Sequence, residues 1–171
     1  MTSERGSGGS VGPSGPGPTG RRSYRVQARS SAPVDQVWPL LGEARRWKEW
    51  SFLTRTDLER TGTPEPDGVG AVRRFTRMGV GSREEVVAWD PPHHLAYSIL
   101  SGFPVRHYRA DVTLVADGSG TLITWEGTFD DKIPGTGRLL VAVMRALIGR
   151  FADGVARYAE QIRPRPNEQP S

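Results

Sequence analysis

RLLVAVMRALIGRFADGVARYAEQI, residues Arg138–Ile162, is the stretch whose reading decides the fold. Leu140, Met144, Leu147, Ile148, Phe151, Val155, Tyr158, Ala159 and Ile162 recur at helical spacing and form one apolar stripe. Arg138, Arg145, Arg150, Asp153, Arg157 and Glu160 lie largely off it. A helix of about 25 residues is roughly 37 Å long at 1.5 Å per residue. It needs an apolar surface of matching length, and the residues before Pro134-Gly135 supply one.

There the period is two. The alternation predicts strands near Leu53–Arg60, Gly70–Met78, Ser82–Trp89, Leu95–Leu100, Tyr108–Ala116 and Thr121–Asp130. Turn signals punctuate them: Pro64–Gly68, Gly79–Gly81, Asp90-Pro91-Pro92, Gly102 with Pro104, and Asp117–Gly120. Six strands with short links make an antiparallel meander. Ahead of them, Ser23–Ser31 alternates with Tyr24, Val26 and Ala28 on one face. Pro33 then suits a first helical turn, Val34, Val37, Trp38 and Leu41 follow at helical spacing, and Gly42 ends the run. A second short helix over Ala44–Trp50 carries Trp47 and Trp50 at i, i+3. The expected class is therefore α+β: a seven-stranded curved antiparallel sheet wrapped around the long C-terminal helix, with two short helices after the first strand.

The 171 residues suffice for one domain. Residues 1–20 hold seven glycines and three prolines with Val11 as the one aliphatic side chain of any size beyond Met1. Residues 1–22 and 164–171 read as disordered tails around a domain at 23–163. There is no cysteine, which excludes disulfides and thiolate zinc sites. No apolar run reaches the length of a membrane span, and the N-terminus lacks a signal-peptide apolar region, so a cytoplasmic protein is expected. The net charge is +4, but no compact basic run with interleaved aromatics marks a nucleic-acid surface. The histidines His93, His94 and His107 lack convergent carboxylates, and no phosphate-binding glycine loop joins a strand to a helix. Neither a metal nor an organic cofactor is expected.

Several segments, spread from Tyr24 to Ile162, carry a resemblance. They are Ala32-Pro33-Val34-Asp35-Gln36-Val37-Trp38, Trp47-Lys48-Glu49-Trp50, Glu84-Glu85-Val86, Trp89-Asp90-Pro91-Pro92, Leu95-Ala96-Tyr97, Tyr108, and Gly120-Thr121-Leu122-Ile123-Thr124-Trp125. In this order the chain resembles the START-like (SRPBCC) superfamily, and within it bacterial polyketide cyclase/dehydrase-like members. The resemblance implies a helix-grip fold with a cavity between sheet and long helix, used for lipids, polyketides or other hydrophobic compounds. It implies no invariant catalytic motif.

The candidate ligand-binding residues are Trp47, Trp50, Arg73, Phe75, Tyr97, Tyr108, Trp125 and Phe151. The resemblance places Trp47 and Trp50 where a second helix closes one end of the cavity; core packing is the plainer reading of both. Tyr108 shares an inward face with Ala110, Val112 and Leu114, so its hydroxyl needs a partner in an apolar setting. Tyr97 is a similar candidate beside Leu95 and Ile99. Trp125 shares a face with Ile123 and Phe129, which leaves Glu126 on the solvent side unless the register is reversed. Arg73 and Arg77 share a face with Phe75. An ion-pair ladder with Glu84 or Glu85 on the solvent face is the ordinary outcome for such arginines. With Phe75 inward, Arg73 would instead face a ligand anion. His107 would stand near a cavity mouth.

The expected function is binding of a hydrophobic small molecule, such as a lipid or polyketide, by a carrier, sensor or sequestering protein. The alternative is a polyketide aromatase/cyclase or dehydratase that moves protons with polar cavity groups. A monomer or homodimer is expected.

Overall fold

A computed structural model describes residues 21–162. The expected tails lie outside these residues apart from Arg21 and Arg22. Strand β1 spans Arg22–Ser30, helix α1 Val34–Gly42, a single 3-10 turn Ala44–Arg46, and α2 Trp47–Trp50. Strands β2 (Arg55–Arg60), β3 (Val72–Arg77), β4 (Val80–Asp90), β5 (His94–Ser101), β6 (Val105–Asp117) and β7 (Gly120–Asp131) follow, and α3 spans Gly137–Gln161. The seven strands form one sheet in the order β1-β7-β6-β5-β4-β3-β2, antiparallel throughout. The expected class is the observed one.

The strand ends differ from the expectation where turns are tighter than composition suggests. β3 and β4 pair out to Arg77 and Val80, so Met78 and Gly79 alone make the turn. Both take positive φ, 50° and 85°, the twist a two-residue hairpin requires. β2 starts at Arg55, leaving Leu53 in the link from α2. β6 begins three residues early, at Val105, because pairing with β7 resumes beyond an irregularity between Arg106 and Arg109. His107, inside that irregularity, has φ 49°.

The outer face of the sheet is polar, with pairs such as Arg25–Glu126 and Arg83–Glu59. The inner face follows strict alternation on the long strands. Ala110, Val112 and Leu114 of β6 and Ile123, Trp125 and Phe129 of β7 are all buried. Each full-size aliphatic or aromatic side chain buried there is worth about 1.5–3 kcal/mol relative to exposure. α3 lies along β1, where Gly149 faces Val26 and Ser30 Oγ donates to the Ala156 carbonyl at 2.9 Å, and it meets α2 where Gly154 comes up against the Trp50 carbonyl. Leu140, Met144, Ile148, Phe151, Val155 and Ala159 are its buried stripe. No helix among the described residues is long and apolar enough to cross a membrane.

Sheets curl at irregularities of pairing. Register shifts fall between Arg83 and Glu84 and between Val86 and Ala88 on β4, and between Arg106 and Arg109 on β6. Two of them sit beside the inward-facing Glu84 and Tyr108, so the devices that bend the sheet also aim polar groups at its concave side.

Gly127 serves this arrangement. It stands opposite Tyr24 in the β1–β7 register, and a Cβ there would lie 2.3 Å from Tyr24 Cε1. The bare glycine lets the Tyr24 ring lie across β7 and reach Tyr108 on β6. Gly127→Ala should therefore destabilise the fold by about 1–3 kcal/mol, the usual cost of overpacking. Urea denaturation checks this; an unchanged midpoint would show that Tyr24 has a second place to go.

Candidate ligand cavity

Between the concave face and α3 lies a cavity of about 160 Å³. Trp47, Phe75, Met144, Ile148 and Phe151 form its buried apolar wall. Glu84, Tyr97 and Tyr108 are the buried polar lining. Phe52, Leu53, Arg77, Val80, Phe103 and Leu147 form a partly exposed rim where the cavity meets solvent. Apolar cavities near 150 Å³ accept a molecule the size of benzene. In this conformation the space suits about one ring.

Trp47 fixes the end of the cavity nearest the short helices. Its indole N–H donates to the Leu41 carbonyl at 2.9 Å. Its ring stacks on Phe75 with centroids 4.5 Å apart and meets Phe151 edge-on at 5.6 Å. With the polar edge engaged by α1, what Trp47 offers a ligand is apolar. Trp50 spends its N–H on the Leu40 carbonyl, also at 2.9 Å, and packs against Phe151 behind the lining.

The polar end is a cluster of three tyrosines. Tyr24 and Tyr108 share a short hydrogen bond between their hydroxyls, and Trp125 Nε1–H donates to the Tyr97 hydroxyl at 3.1 Å. The Tyr97 and Tyr108 rings lie 6.1 Å apart. Burial pushes all three phenols well up, so they remain neutral O–H groups. Three hydroxyls bring three hydrogens. The contacts within the cluster leave at least one of them without an acceptor.

Beside the phenols sit Arg73 and Glu84, paired across β3 and β4. Both are buried, which overturns the expectation of a solvent-face ladder for Arg73. That ladder exists on the other face, built by Glu59 with Arg74 and Arg83 and by Arg60 with Glu85. Phe75 does point inward and brings Arg73 with it, but the guanidinium turns away from the cavity to the C-terminal end of α1. There Nη2 donates to the Gly42 carbonyl at 2.8 Å and Nη1 reaches the Leu41 carbonyl at 3.5 Å. A cation at a helix C-terminus meets the negative end of its dipole. Arg73 Nε and Glu84 Oε1 are left without hydrogen-bond partners. Burial pushes the Glu84 carboxyl up to about 7, outweighing the pull of Arg73.

Of the eight residues singled out from sequence, the structure brings Trp47, Phe75, Tyr97, Tyr108 and Phe151 together around the cavity. Trp50, Arg73 and Trp125 stand behind its lining, each held there by a hydrogen bond of its polar edge. Glu126 lies outside with Arg25 at 2.8 Å. His107 does not reach the mouth: its positive φ turns it to the surface, where Nδ1 meets Asp130 Oδ2 at 2.8 Å. Met144 and Ile148 belong to the apolar stripe and were within reach of sequence reasoning, being level with Phe151 on one helix face. Phe52 and Phe103 lie in links between elements, where no period marks them.

Residues 21–160 match the family described as polyketide cyclase / dehydrase and lipid transport. The chain belongs to that family. No curated protein matches it in sequence. Among solved structures, a Thermobifida fusca protein studied by solution NMR is 28% identical, with TM-score 0.67 over 81% of this chain and 91% of that one. XoxI from Bacillus cereus is 20% identical, with TM-score 0.63 over 81% and 93%. Norcoclaurine synthase from Thalictrum flavum, solved with dopamine and hydroxybenzaldehyde, is 14% identical, with TM-score 0.66 over 92% and 100%. The last two likenesses show the fold. For this polyketide cyclase / dehydrase and lipid transport family member, family and cavity together support a hydrophobic-ligand role.

The Glu84 carboxyl gives the cavity a measurable signature. In the unfolded chain it loses its proton near its ordinary 4.5, but in the fold only near 7. Between those values the folded state holds more protons, so the contribution of Glu84 to stability falls as pH rises. The stability difference between wild type and Glu84→Gln should decline from about pH 4.5 to about pH 7 and then level off. Denaturant titrations at several pH values check this; a flat difference would place the carboxyl in contact with water.

Proposed function

We propose that the protein holds a small hydrophobic molecule bearing an oxygen acceptor in the cavity between its sheet and α3, as a carrier, sensor or sequestering protein. The observation that supports this most is the distribution of polarity. The buried lining is apolar except at one end, where Glu84, Tyr97 and Tyr108 gather with a phenolic hydrogen to spare. Such a site rewards a ligand that is apolar over most of its surface and carries one acceptor at its inner end. Native mass spectrometry of the purified protein would reveal a co-purifying ligand. Acetophenone, one ring with one carbonyl, is a probe of suitable size. Tyr108→Phe should weaken its binding by about tenfold, the loss of roughly one hydrogen bond, while toluene is affected much less. Equal loss for both probes would mean the ring position, and not the hydroxyl, matters.

The second reading is enzymatic, and Glu84 favours it. A cavity-lining carboxyl that titrates near neutrality, beside O–H donors, is suited to take a proton from the carbon next to a carbonyl while a phenol hydrogen-bonds the developing enolate oxygen. The protonated carboxyl then exchanges that proton with water and returns a solvent-derived one to the carbon, which completes an exchange with solvent. In deuterium oxide the protein should then label the methyl group of acetophenone, and Glu84→Gln should reduce labelling at least about 100-fold. Binding without labelling would leave the carrier reading in place.

A further inference from the structure

Phe52, on the rim of the cavity, draws two cations that have no counter-charge among the described residues. Phe52 leads from α2 into β2, stacks on Phe151 at 4.7 Å, and forms part of the rim. The Arg77 guanidinium, at the end of β3, lies 5.1 Å from the centre of its ring. The Arg150 guanidinium, from α3, lies 5.0 Å from the same centre. Most other arginines of this sheet come with carboxylates: Arg74 and Arg83 share Glu59, Arg60 meets Glu85, and Arg25 meets Glu126, whereas Arg106 meets the Asp131 carbonyl. Among the described residues neither Arg77 nor Arg150 makes an ion pair or a side-chain hydrogen bond, and Arg150 makes none with Asp153, three positions on. The rim contains no acidic residue, and the one carboxyl in the lining, Glu84, is buried at the floor.

A guanidinium carbon about 5 Å from a ring centre is within cation–π range, a contact that uses none of its N–H donors in hydrogen bonds. Two such groups drawn from separate elements to one side chain repel each other unless an anion joins them. We infer that the ligand is an amphiphile with a carboxylate, whose apolar body enters the cavity and whose acid group rests at the mouth on Arg77 and Arg150. The inference rests on the cavity reading above and adds the class of ligand. A planar carboxylate matches two guanidinium edges with paired hydrogen bonds. The apolar body passes Phe52, whose ring thereby serves both halves of the molecule.

Phenylbutyrate and phenylbutanol test this, since they share a ring and chain and differ in the charged end. Calorimetric titration of wild type should give phenylbutyrate an affinity at least tenfold above that of phenylbutanol. Arg77→Gln/Arg150→Gln should bring that ratio close to one, and Arg77→Lys/Arg150→Lys should keep part of it. Should the glutamine variant fold poorly, the wild type still decides: the ratio should shrink as salt is raised to about 1 M, where screening acts within about 3 Å. Equal affinities in wild type at low salt, or a ratio that survives both the glutamine variant and high salt, would overturn the inference and leave the cavity reading standing. Failure of both probes to bind would overturn the two together.

Discussion

A long helix must bury its stripe against a sheet that curves away from it. That mismatch governs the rest of the molecule. α3 is anchored at one side, where glycines and Ser30 bring it close to β1, and at its end, where the Gln36 amide donates to the Ala159 carbonyl at 2.5 Å and the Ile162 carbonyl at 2.7 Å. The sheet then bends away through the irregularities in β4 and β6. Large rings fill part of the gap: Trp125 stacks against Phe151 at 6.3 Å and meets Trp47 edge-on at 5.8 Å. Where the rings stop, the cavity begins. It is thus a consequence of incompatible curvatures, and its size depends on how many aromatic side chains are placed at one end.

The fold was legible because it depends on period and punctuation, which are local properties of sequence. The switch from period two to helical spacing at Pro134-Gly135 and the turns between strands sufficed for element order and class. The site was legible only in part. Alternation assigned faces correctly on β6 and β7, where pairing is regular from Arg109 to Asp117, and so located Trp125 and, at the edge of that run, Tyr108. It carried no information on how deep a residue lies. Trp125 and Tyr97 share the concave side, yet one lines the cavity and the other stands behind it, because the Trp125 N–H needs the Tyr97 oxygen. Arg73 shows the same limit. Its face followed from Phe75, but its direction was set by carbonyls of α1, more than thirty residues away in the chain. Phe52 was invisible for a different reason: a side chain in a link owes its place to its neighbours in space, and no spacing records them.

Arg73 and Glu84 show how structural and functional demands meet in one core. An uncompensated charge at this depth would be prohibitive, so a cation buried to cap α1 requires an anion nearby. Glu84 supplies it from the adjacent strand but makes no direct ion pair, and part of each group remains without a hydrogen bond. The loose pairing leaves burial as the dominant influence on the carboxyl, which is why it titrates near neutrality instead of remaining firmly ionised. A tighter pair would be better satisfied and less responsive to anything that enters the cavity. Substituting Glu84 therefore removes both the titrating carboxyl and one of the acidic groups, with Asp67, that act on Arg73, and stability and ligand chemistry at this site are bound to change together.

The tyrosine cluster resolves the parallel problem for neutral groups. Tyr24, Tyr97 and Tyr108 arrive from β1, β5 and β6, and each brings an oxygen into an interior that offers few partners. They satisfy one another first, with Trp125 as an additional donor, and Gly127 provides the room that lets Tyr24 join them. A mutual network of this kind is rigid because each member restricts the next. Its contacts still leave at least one phenolic hydrogen without an acceptor within it. An interior network that is well held yet has a hydrogen to spare is pre-organised toward an oxygen it does not itself contain. The empty space beside it is where such an oxygen would be met.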